Sequence, residues 1–332
     1  MPASTRSLLR RLLTRATERV RHSAAMLGYA LRRLLWTPVL LLFVMLVTFA
    51  LMRGIGGSPF RLESGGLTEP LVIEVTHFYD LDQPWYVEFA NYVKHVATWE
   101  FGPSLTDRNL TVDQVVDEQL PVTLQLAFLA MLWAIPIGGA LGVLAAMRRG
   151  SRLDTVLTSV STLLLVVPVF LFAEVLSTYL LHDWHVIEPG WDTWGTRLTA
   201  SFALALAPAG YIARVVRAGI VETLGEDFVR TARAKGLRTG RVVGAHVLRN
   251  SLVPFLAAAV PTMALLITAA FFVESAFGIP GAANYYIVSA QRRDYPIVLG
   301  LTVVLALVVI LANLVADLLA AALDPRLREK RA

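Results

Sequence analysis

Residues suited to chemistry are few in this sequence, and they are scattered. His182, Asp183, His185 and Glu188 share one short stretch. Imidazole and carboxylate groups at such spacing could hold a metal ion, or they are a chance assortment in an interfacial loop. Glu174 stands inside a long apolar block. A carboxylate costs about 2.5–3.5 kcal/mol at the centre of a membrane helix. Glu174 is therefore a candidate for lining a polar pathway or meeting a substrate amine, unless it is paired with a polar group or reaches an interface. Cysteine is absent, which removes thiolate nucleophiles, thiolate metal sites and disulfides. No H-E-x-x-H, G-x-S-x-G or Rossmann pattern occurs, and no G-x-x-x-x-G-K-[ST] phosphate loop. No catalytic residue, cofactor or metal site is expected within these residues.

The elements that would carry such groups are membrane helices. Of the 332 residues, 56% are hydrophobic and 17% charged, against about 45–50% and about 25% in soluble domains. The apolar residues gather into six blocks: residues 34–52, 122–147, 155–181, 196–216, 252–272 and 297–319. Each approaches the ~20 residues needed to span a bilayer. The first block is too long for the core of a signal peptide, and no small-residue cleavage pattern follows it. A retained first span is expected.

Arginine and lysine set the orientation. They crowd into residues 6–33, 148–152, 214–249 and 326–331, four regions on one side of a six-span chain. The loop after the first block is rich in Asp and Glu, and residues 183–192 hold Asp183, Glu188 and Asp192 without a lysine or arginine. Both termini are expected in the cytoplasm. The net charge of +5 thus reads as membrane topology, and no nucleic-acid partner is expected. The basic segment 6–21 is either an amphipathic helix on anionic lipid or a tail that enforces topology. Trp36, Trp85, Trp99, Trp184, Trp191 and Trp194 read as interfacial anchors. Pro38, Pro136, Pro168, Pro208, Pro254 and Pro261 interrupt the spans and predict kinks. The expected divisions are a basic extension (1–30), a first span (31–53), an extracytoplasmic loop region (54–120), a core (121–323) with a cytoplasmic loop at 220–250, and a tail (324–332).

That cytoplasmic loop is too polar to span. Glu226 and Asp227 suit a helix N-terminus, and Gly236 a helix stop. A short amphipathic helix is predicted between them, with Phe228 and Ala232 on one face. Its shape suits a groove on a partner, or the segment is a solvated basic loop.

The stretch Glu226-Asp227-Phe228-Val229-Arg230-Thr231-Ala232-Arg233-Ala234-Lys235-Gly236, followed by His246-Val247-Leu248-Arg249-Asn250 and Pro254, resembles the EAA loop of binding-protein-dependent ABC importer permeases. It looks like the version in the oligopeptide/dipeptide/nickel permease family (OppB/DppB-like). Other segments are similar to that family's motifs in order: Leu81-Asp82-Gln83-Pro84, Phe101-Gly102-Pro103-Ser104, Leu120-Pro121-Val122-Thr123-Leu124, Val273-Glu274-Ser275-Ala276-Phe277-Gly278-Ile279-Pro280-Gly281, Arg293-Asp294-Tyr295-Pro296, Asn313-Leu314-Val315-Ala316-Asp317 and Leu323-Asp324-Pro325-Arg326. The sequence departs from the family pattern at Ala282-Ala283-Asn284, where a second glycine is usual, and at Glu174.

The resemblance implies an all-α, type I ABC importer transmembrane fold in the bacterial inner membrane. It implies that the chain forms half of a pathway for peptides, with nickel or another small solute as the alternative. A stand-alone secondary transporter would show internal repeats, and none is visible. The implied partners are a second homologous permease, two cytoplasmic ATPase subunits that bind the ATP, an extracytoplasmic substrate-binding protein, and membrane lipid. The segment containing Glu226, Asp227, Phe228, Arg230, Ala232, Ala234, Lys235 and Gly236 would couple to the ATPase. Glu274, Pro280, Gly281, Asp294 and Asp317 would serve gating or structure.

Overall fold

The computed structural model describes residues 34–54, 77–80, 82–107, 110–227 and 248–323, with Arg32, Val229 and Ala234; for 248–261 and 319–323 it describes the backbone only. Nine helices can be numbered among these residues: α1 Leu34–Gly54, α2 Trp85–Thr98, α3 Val112–Met147, α4 Arg152–Val166, α5 Val169–Ser177, α6 Trp194–Thr223, α7 Leu248–Phe277, α8 Ala282–Gln291 and α9 Tyr295–Leu323. A π-turn, Thr178–Asp183, extends α5. The only extended pairing among the described residues is an isolated bridge between Pro103 and Thr111.

Among the described residues, four helices are long and apolar enough to cross a membrane: α1, α3, α6 and residues 295–318 of α9. Two bent pairs bring the number to six if each counts as one span. They are α4 with α5, bent by 90°, and residues 262–277 of α7 with α8, bent by 72°. The six expected blocks are thus recovered, with two corrections. Block 155–181 is a broken helix rather than a straight span. Pro168 cannot donate into the ladder, and Val167 before it is extended at ψ 124, as a residue preceding proline prefers. The second block starts ten residues earlier than its apolar run, at Val112. There the Thr111 side chain accepts from Gln114 N–H and the Gln114 side chain accepts from Thr111 N–H. This reciprocal cap starts the helix in polar sequence. The region 54–120 also holds α2, which follows Pro84.

The centre of the fold is the contact of α3 with α6. Small residues make it close: Ala127, Ala130 and Ala134 on α3, and Ala203, Ala205 and Ala209 on α6, are fully buried. A Cβ on Gly138 would lie 2.5 Å from the Ala209 carbonyl, and one on Gly142 2.6 Å from that of Ala213. Only glycine permits this spacing. Among membrane helices, small residues let backbones approach where hydrophobic sorting cannot drive association. α7 packs against α6, α9, α3 and α5, while α4 covers α6. At the edge, α1 joins the fold through Met45 and Phe49, which cluster with Tyr79, Tyr92, Leu299 and Val303.

Candidate functional site

The sequence motifs at 101–104, 120–124, 273–281 and 293–296 are distant in the chain, and the fold gathers them into two buried polar clasps. In the first, the Glu274 carboxylate at the end of α7 is fully buried. Thr123 of α3 donates its hydroxyl to it at 2.6 Å, and the Asn284 N–H of α8 donates at 2.9 Å. Thr123 in turn accepts the Ala282 N–H at 3.0 Å. A carboxylate at the first turn of α8 meets unpaired N–H groups and the positive end of the helix dipole. One side chain therefore pins three helices. Gly281 is required because a Cβ there would overlap the Glu274 carboxylate. Pro280 beside it is exposed.

The second clasp is built on Asp294, which is 1% exposed. Its carboxylate accepts the Ser104 hydroxyl, the Thr106 hydroxyl at 2.8 Å and the Leu105 N–H at 3.2 Å. Ser104 Oγ also accepts the N–H groups of Thr106 and Asp107. Tyr79 shares its hydroxyl between the Phe101 and Pro103 carbonyls. Burial, then the charges of Asp294 and Asp113, pushes the Tyr79 phenol well above its ordinary pKa, so it remains a donor. Tyr92 of α2, also raised by burial, donates to the Leu299 carbonyl of α9 at 3.1 Å. Arg53 at the end of α1 pairs with buried Glu88 at 3.0 Å. Glu274, Gly281 and Asp294 thus lie within these buried networks. Asp317 lies half-buried on α9, away from both clasps in sequence.

A third polar centre went unnoticed in the sequence. Arg217, which the sequence places in the basic loop after the fourth block, lies within α6. Its Nε and Nη2 donate to Asp154 at 2.7 and 2.9 Å. Asp154 also accepts Gly150 N–H at 3.0 Å and the Thr158 hydroxyl at 3.3 Å. The carboxylate, 6% exposed with its residue, ties the turn before α4 to the end of α6. No local pattern marks this pair, because its members are 63 residues apart.

Glu174 is exposed on α5. His182, Asp183, His185 and Glu188 are all exposed, and no three metal-binding side chains come together among the described residues. Of the tryptophans read as anchors, Trp191 is buried; its indole N–H donates to Gln125 and the Arg197 guanidinium covers its ring. Trp36, Trp85, Trp99, Trp184 and Trp194 are exposed. In the segment after α6, Glu226, Asp227 and Ala234 are exposed and Val229 is buried. Phe228, Arg230, Ala232, Lys235 and Gly236 lie outside the described residues.

Residues 138–329 match the family described as binding-protein-dependent transport system inner membrane component. The dipeptide transport system permease protein DppB of Bacillus subtilis is 33% identical over 91% of this chain and 98% of its own. The oligopeptide permease OppB of Haemophilus influenzae is 33% identical over 91% of this chain and its own full length. The glutathione permease GsiC of Salmonella choleraesuis is 34% identical over 92% of this chain and all of its own. Among solved structures, a chain of the MetNI methionine ABC transporter superposes with a TM-score of 0.52 at 18% identity. It covers 64% of this chain and 97% of the other. A chain of an amino acid ABC transporter gives 0.52 at 16% identity, over 62% and 92%. These two likenesses show the fold, the type I transmembrane fold of ABC importers.

Proposed function

Because the chain belongs to the binding-protein-dependent transport system inner membrane component family, we propose that it is the permease subunit of an ABC importer for peptides. The observation that carries this reading is the end-to-end similarity to permeases named for dipeptides, oligopeptides and glutathione. Those three cargoes share amide bonds and charged termini, so peptide is the common chemistry.

A second homologous permease supplies the other half of the pathway. Two ATPase subunits bind and hydrolyse ATP on the cytoplasmic side, and this chain contributes no ATPase site. A substrate-binding protein delivers peptide to the opposite side. Both termini are cytoplasmic, a reading supported by the arginine-rich segments. On that orientation the two clasps face the binding protein, and residues 226–236 face the ATPase. Exposed Glu226 and Asp227 suit contact with a partner, and buried Val229 ties the segment to the helices. Exposed Glu174 offers a carboxylate to a passing amine; unchanged transport of every peptide by Glu174→Gln would remove it from the pathway.

The test is uptake of labelled di- to pentapeptides, with nickel in parallel, by cells lacking the gene. Loss of peptide uptake that the wild-type gene restores is the expected result. Restoration should fail with Gly236→Trp, while ATP hydrolysis continues. Loss of nickel uptake alone would overturn the peptide reading.

A further inference from the structure

The exposed face of α4 carries Thr155, Thr158, Ser159 and Thr162 at helical spacing i, i+3, i+4 and i+7. These hydroxyls line an open cavity of about 580 Å³, bordered by Leu163 and Val166 towards one end and by Asp154 and Arg217 towards the other. Such a volume lies within the ~300–1,000 Å³ of small-molecule sites.

The hydrogen bonds decide what the cavity can receive. Thr155 donates to the Ser151 carbonyl, Thr162 to the Thr158 carbonyl, and Thr158 to Asp154. Each hydroxyl has one proton, so these three present only lone pairs to the cavity. Asp154 already accepts from Arg217 twice, from Gly150 and from Thr158. Its ~4 lone-pair sites are filled, and it is closed to a new donor. Arg217 uses two N–H groups on Asp154, out of ~5 that a guanidinium carries. The cavity therefore offers three acceptor hydroxyls, the Ser159 hydroxyl, which can donate or accept, and at one end the spare N–H groups of Arg217 beside the Asp154 carboxylate that balances its charge.

We infer that this cavity is a transit site for the peptide backbone, with amide N–H groups along the α4 hydroxyls and the C-terminal carboxylate at Arg217. This rests on the peptide-permease reading. The lengths agree. From Thr155 to Thr162 the helix rises ~10 Å at 1.5 Å per residue, the reach of about three extended residues at ~3.3 Å each. Hydroxyl acceptors read the backbone and ignore side chains, which suits a cargo of varied sequence.

The absence of cysteine from this sequence makes each introduced thiol unique in the chain. Ser159→Cys and Thr162→Cys would be placed singly in the complete transporter in membrane vesicles. Each would be treated with a charged methanethiosulfonate reagent, and the mass of this chain followed. Both thiols should label. Trialanine at ~10 times its half-saturating concentration should slow labelling about tenfold, and trialanine C-terminal amide should protect far less. Failure to label, or labelling indifferent to trialanine, would overturn the transit site. Equal protection by the amide would overturn the role of Arg217. Trialanine uptake by wild-type vesicles is measured alongside. Its absence would sink the peptide reading itself, whereas uptake without protection would sink only this inference. A thermal unfolding midpoint in detergent equal to that of the wild-type chain reports that each variant has folded.

Discussion

The two clasps and the open face of α4 use the same chemical groups, carboxylates and hydroxyls, in opposite ways. At Glu274 and Asp294 each carboxylate is buried and receives donors from other segments of the chain. Along α4 the hydroxyls bond mostly to their own helix, and only the Asp154–Arg217 pair reaches across. A closed polar network commits the chain to one arrangement, because breaking it strands groups away from water. A polar face bonded only to itself can exchange neighbours at little cost. In a membrane helix that difference separates groups that hold the fold from groups that can meet a solute.

That contrast can be broken or sharpened by substitution, with unfolding followed by heating in detergent. Asp294→Ala should have the largest effect, about 3–5 kcal/mol, as it leaves the Ser104 and Thr106 hydroxyls and the Leu105 N–H without their acceptor at about 1–3 kcal/mol each. Gly281→Ala should come next, at about 1–3 kcal/mol, through overlap with the Glu274 carboxylate. Tyr92→Phe removes a single hydrogen bond to Leu299 and should cost about 1 kcal/mol. Thr162→Val, nearly isosteric and on the open face, should stay within about 0.5 kcal/mol. A destabilisation by Thr162→Val equal to that of Asp294→Ala would erase the distinction between the two regions.

The apolar blocks were legible because a bilayer tolerates few charges and demands a minimum length. The break at Pro168 was legible as a kink, but its 90° size was not, since proline frees the ladder without saying where the chain goes next. The early start of α3 was encoded in Thr111 and Gln114, a local signal obscured by the polar sequence that follows it. The motifs around Glu274 and Asp294 stood out individually. Their partners did not: Thr123 is 151 residues from Glu274, and Ser104 is 190 from Asp294. Pairings at that range depend on the packing of whole helices. Asp154 and Arg217 were missed for a further reason, as both sit beside stretches of arginine that read as topology.

The length of α3 has a mechanical consequence. At 36 residues it is ~54 Å long, against ~30 Å of hydrocarbon. Its first ten residues, with Asp113, Asp117 and Glu118, belong in water. The clasp at Thr123 and the packing of Val112 on Gly300 tie that projecting end to the rest of the fold. The helix is thus a mast stepped in the bilayer, continuous from Val112 to Met147 through Pro121 and Pro136. A push on its head is delivered at its foot, on the other side of the membrane.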